Sequence, residues 1–61
     1  MTDKVFGLLE IGDEFVLGNS RFTKIDNIAT RKGLVNAENT KNEDLYFFSD
    51  NETVLFLKGS W

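Results

Sequence analysis

Cysteine, histidine and proline are all missing from this 61-residue chain. Without cysteine there is no disulfide, and with histidine gone as well the commonest zinc sites are excluded. The same two absences remove the nucleophile–base pairs of most covalent catalysis, so no enzyme is expected. The absence of proline suits a chain that is mostly strand. No apolar run approaches the roughly 18 residues needed to cross a membrane. The opening residues carry Asp3, and the apolar stretch after them is too short for a signal peptide. A cytoplasmic location with no membrane partner is therefore expected, and a cysteine-free chain fits a reducing compartment.

What remains has an ordinary globular balance, 41% hydrophobic and 28% charged. A chain this short buries only about 60% of the surface its unfolded form exposes. Lacking disulfides and a structural metal, it must rely on complete packing or on oligomerisation. The net charge of −3 is unevenly spread. Acidic residues dominate residues 1–20 and again residues 38–52, whereas Arg21, Lys24, Arg31 and Lys32 make the stretch between them basic. An acidic chain lacks the general phosphate affinity that nucleic-acid binding draws on, which argues against that partner.

The clearest local pattern lies in residues 11–25, two strands joined at Gly18-Asn19. Glycine in the first loop position supplies the positive φ of a type II′ turn. That loop sets Leu17 opposite Ser20, Val16 opposite Arg21, Phe15 opposite Phe22, Glu14 opposite Thr23 and Asp13 opposite Lys24. An aromatic pair and an opposite-charge pair then share one face. Ile25 breaks the alternation, so a β-bulge near Thr23 and Lys24 is expected to bend the second strand.

Before the hairpin, residues 1–4 are expected to fray, and Phe6 and Leu9 to cap one end of the core from a single turn. After it, residues 26–32 read as a polar loop or irregular extension anchored by Ile28. Residues 33–38 alternate, with Val35 and Ala37 placed inside and Leu34, Asn36 and Glu38 outside. Residues 39–44 are an exposed loop. Residues 45–49 and 53–57 read as strands apolar on both faces, and residues 58–61 as a tail. Five short strands joined by short connections predict one all-β domain, a small, partly open SH3-like barrel; an OB-fold wants longer strands.

The spacing Phe6-x-x-Leu9-x-x-Gly12-Asp13-x-Phe15, followed by Phe22-x-Lys24-Ile25, Asn36-Ala37-x-Asn39 and Asp50-x-x-Thr53-Val54, resembles a group of very short phage-encoded proteins similar to SH3-like small barrels. It covers nearly the whole chain. The resemblance implies a phage origin and work inside an infected bacterium. Its motifs are structural and carry no catalytic residue.

Carboxylates cluster at Asp13-Glu14, Glu43-Asp44 and Asp50-x-Glu52. Neighbours on a strand point to opposite faces, so Asp13 and Glu14 cannot flank one substrate, and the others read as solvated loop charge. Residues 50–52 lack the length and ligand number of a calcium loop. Neither a metal nor a cofactor is expected. The functional signal is surplus apolar surface: with Leu45, Phe47, Val54 and Phe56 filling the core, Tyr46, Phe48, Leu55, Leu57 and Trp61 face outward, although the assignment of faces could be reversed. Either the N-terminal segment and the tail cover them or an interface does, homodimerisation ahead of a foreign partner. The leading expectation is an interaction module for a host or phage protein, modulating host metabolism or defence, with Tyr46, Phe48, Leu55 and Trp61 as binding residues. The alternatives are a nucleic-acid surface built from Arg21, Lys24, Arg31 and Lys32, or a sponge for a small anionic ligand held between subunits.

Overall fold

The computed structural model describes residues 2–59, and among them it is all-β with one short 3₁₀ turn. Its six strands are β1 (Thr2–Val5), β2 (Glu14–Leu17), β3 (Ser20–Thr30), β4 (Gly33–Asn39), β5 (Leu45–Tyr46) and β6 (Thr53–Lys58). They form one open antiparallel sheet in the order β1-β6-β2-β3-β4-β5. Five strands were expected and six are found. The addition is β1, whose residues pair with β6 from Thr2 opposite Phe56 to Val5 opposite Thr53 instead of fraying. The Lys4 ammonium lies 4.3 Å from the centre of the Phe56 ring, a cation–π contact that ties this edge strand down.

The β2–β3 hairpin has the register its turn chemistry dictates, from Glu14 opposite Thr23 to Leu17 opposite Ser20. Gly18 takes φ 65°, while Asn19 keeps a negative φ, as a type II′ turn requires. Backbone bonds extend the hairpin past β2: Lys24 N–H donates to the Asp13 carbonyl (2.9 Å) and Gly12 N–H to the Lys24 carbonyl (2.8 Å). The side chains of this pair do not meet. The Asp13 carboxylate accepts the Glu10 N–H at 2.9 Å, closing the turn that precedes β2. The Lys24 ammonium crosses to the 3₁₀ turn Phe6–Leu8, donating to the carbonyls of Leu9 (2.7 Å) and Phe6 (3.1 Å) over the Phe6 ring. Each group thus serves backbone atoms of the turns before β2, a stronger demand than an exposed cross-strand ion pair.

The bend in β3 falls just after the expected position. Lys24 pairs with Ala37 and Ile28 with Val35, so residues 25–27 oppose Asn36 alone. This leaves Ile25 half-buried and lets β3 continue into a ribbon with β4. Residues 26–32 are therefore not a loop: β3 runs to Thr30 and turns through Arg31 and Lys32 into β4. Ile28, expected to anchor this stretch, is exposed.

The core is one cluster of Phe6, Leu9, Phe15, Phe22, Ala37, Phe48 and Val54, with Phe56 packed against it. Phe15 sits at its centre, its ring 5.4–5.5 Å from those of Phe6, Phe22 and Phe48. Phe6 and Leu9 cap it as the sequence predicts. The expected assignment of faces holds in β6, where Val54 is core and Phe56 packs against it, but fails before it: Phe48 is core, whereas Leu45 and Phe47 are exposed. Asn36 supplies the reason. It is buried rather than outward-facing, its side-chain Nδ2 donates to the Phe48 carbonyl, and its Oδ1 accepts the Phe48 N–H, both at 2.9 Å. This side chain replaces a strand partner, so β5 stops at Tyr46 and the chain turns Phe48 inward.

Candidate functional site

Two features meet where β5 borders the sheet. The first is the ribbon beyond the β3 bend, which ends at Arg31 and Lys32. Thr30 Oγ1 organises that tip, donating to the Gly33 carbonyl (2.7 Å) and accepting the Lys32 N–H (3.2 Å). The second is the turn from Asn39 to Asp44. Buried Asn39 accepts the N–H groups of Lys41 (2.8 Å) and Asn42 (3.3 Å) on Oδ1, a side-chain turn of the kind asparagine favours. Its backbone accepts the Glu43 N–H and donates to the Asp44 carbonyl, both at 2.8 Å. Glu43 is held at φ 64°, the left-handed region that a non-glycine residue enters only when its surroundings demand it.

Between the two lies an open groove of about 670 Å³. Thr30, Arg31 and Lys32 contribute one side and Glu43 and Asp44 another, with Val35, Leu45 and Tyr46 adding apolar surface. The ion pairs found among the described residues are Glu14 with Arg21 and Glu14 with Lys58, each 3.8 Å apart. The groove charges therefore face solvent and are available to something outside the chain. Beside the groove, β5 pairs with β4 only through Ala37–Tyr46 and Glu38–Leu45, so it is a two-residue sheet edge. Leu45 and Tyr46 on this edge and Phe47 directly after it are 42%, 40% and 59% exposed. Among the described residues, no group of three or more acidic side chains gathers as a metal site would need, and no helix is long and apolar enough to cross a membrane.

The residues expected to bind a partner are not brought together. Tyr46 lies at the groove, its ring edge-on to Phe22 at 5.4 Å. Phe48 is in the core. Leu55 is half-buried on β6, opposite Val16 of β2, and β2, β3 and β4 separate that strand from β5. Trp61 lies outside the described residues. The four cations scatter too. Arg21 pairs with Glu14, Lys24 is spent on two carbonyls, and only Arg31 and Lys32 stand together.

Leu45 and Phe47 read from the sequence as core, so the exposed apolar surface they form is not legible there. A usable signal was present at residues 28–35, where β-branched and apolar residues flank Arg31-Lys32-Gly33 as in a hairpin. Nothing local marks Asn36 as the partner of Phe48.

No family model, curated protein or solved structure matches this chain.

Proposed function

We propose that this protein is a non-enzymatic interaction module, an SH3-like small barrel of phage origin that binds a host or phage protein and alters host metabolism or defence by occupying its surface. The barrel reading draws support from the strand order: β2 to β5 run as a meander, and β6 returns to pair with β2. The bend at residues 25–27 lets the long β3 serve both halves of the sheet.

One observation carries the interaction reading, the exposure of three consecutive large apolar residues: Leu45 and Tyr46 on a short edge strand and Phe47 directly after it. Edge strands invite pairing with another chain, and soluble proteins normally blunt them with charge or cover. Here Tyr46 on the edge and Phe47 beside it are aromatic, a residue type enriched at interfaces. Glu43 and Asp44, which precede it, would steer a basic partner towards it and raise the association rate.

The test is affinity capture from bacterial cells with the protein as bait. A specific partner should be retained by the native chain and lost with Phe47→Ala, a substitution at an exposed position that leaves folding intact. Capture that survives both Phe47→Ala and Leu45→Ala would overturn this surface.

A further inference from the structure

The ribbon beyond the β3 bend is too thin to cover its own apolar residues. Ile28 pairs with Val35 and Ala29 with Leu34, so Ile28 and Leu34, from successive rungs, stand on opposite faces. They are 46% and 54% exposed. An isolated two-stranded ribbon is marginal in water, and it gains by covering both faces. At the tip are two unpaired cations, Arg31 and Lys32; across the groove are two unpaired anions, Glu43 and Asp44.

We propose that the occupant of this groove is a second copy of the chain, with the two ribbons exchanged about a two-fold axis. Such an interface uses the same patch on both partners, so that patch must complement itself. A groove with one basic and one acidic side meets this requirement. Under the two-fold, Arg31 and Lys32 of each copy approach Glu43 and Asp44 of the other, and each ribbon covers the exposed apolar residues of its partner. A foreign ligand would need charge complementary to both sides but gives no reason for them to match one another. Self-association also supplies what a short chain without disulfides lacks. The inference goes beyond the foreign-partner reading, whose surface shares Leu45 and Tyr46 with the groove lining but places Phe47 outside it.

Charge exchange tests it. One variant carries Arg31→Glu and Lys32→Glu, the other Glu43→Lys and Asp44→Lys, all at exposed positions. Sedimentation at micromolar concentration should show the native chain as a dimer and each variant more than about tenfold weaker in self-association, since like charges then face one another. An equimolar mixture of the two should regain the dimer, because each acidic side now meets a basic one. Circular dichroism checks that both variants are folded. Should either fail to fold, raising the salt concentration on the native chain replaces it: the dimer must weaken as the charges are screened. A native monomer overturns the proposal, as do variants that dimerise alone, a mixture that stays monomeric, or a salt-insensitive dimer. A native monomer that still captures a partner through Phe47 would sink the exchange and leave the interaction module standing; a dimer without capture would do the reverse.

Discussion

At Asn36 a side chain does what a neighbouring strand would otherwise do. Its amide reproduces the donor and acceptor of a peptide group, so the buried N–H and C=O of Phe48 are both satisfied where β5 has already ended. Asn36→Ala would leave both groups without partners, at about 1–3 kcal/mol each. Urea denaturation should show a loss of roughly 2–6 kcal/mol, and Phe48 should lose its fixed environment in the same variant. Asn36→Asp should not rescue it, because a carboxylate offers no donor to the Phe48 carbonyl. Lys24 works in a similar way. It reads as half of a surface ion pair, yet its ammonium holds the carbonyls of Phe6 and Leu9. In both cases the residue type shows that a polar group must find a partner, but not which atom 12 or more positions away will provide it.

Among the elements, the 3₁₀ turn Phe6–Leu8 depends on contact with the turn before β6. Phe6 N–H donates to the Glu52 carbonyl and Gly7 N–H to the Asp50 carbonyl, both at 2.7 Å. A Cβ on Gly7 would lie 2.9 Å from both Cβ and O of Asp50, closer than packed atoms tolerate. Gly7→Ala should therefore force the two turns apart and cost about 1–3 kcal/mol, as overpacking does. Thermal melting would register the loss, and amide exchange should quicken first at Phe6 and Gly7; unchanged exchange there would show that the turns adjust freely. The elements also show where sequence patterns mislead. The β2–β3 hairpin was legible down to its register because a two-residue turn and alternating side chains specify it locally. The β3–β4 ribbon was not, since its exposed positions need no apolar alternation and its polar residues resemble a loop. β1 is not legible for a different reason: its place depends on the free edge of β6, whose paired residues lie 48 to 54 positions further along the chain.

For the whole molecule, one cluster of side chains holds a sheet that is otherwise wet on much of its surface. A chain of this length has roughly 3–9 kcal/mol of stability to lose. Phe15, fully buried, packs against the rings of Phe6, Phe22 and Phe48. Phe15→Ala should cost about 3–5 kcal/mol, enough to leave much of the population unfolded at room temperature by circular dichroism. Phe47→Ala, at the same type of residue in the same region of sequence as Phe48, should hardly move stability. The contrast between Phe47 and Phe48 was the hardest feature to read in advance, because adjacent phenylalanines carry the same composition and opposite fates. By itself the sequence determined the all-β character, the Gly18 turn and its register, and the capping of the core by Phe6 and Leu9, since each follows from turn geometry, side-chain alternation or hydrophobicity over a few residues. Only the tertiary structure decided which of two phenylalanines is core, where the sheet ends, and which charges come to line one groove. Those outcomes depend on partners distant in the chain, and a local pattern carries no information about them.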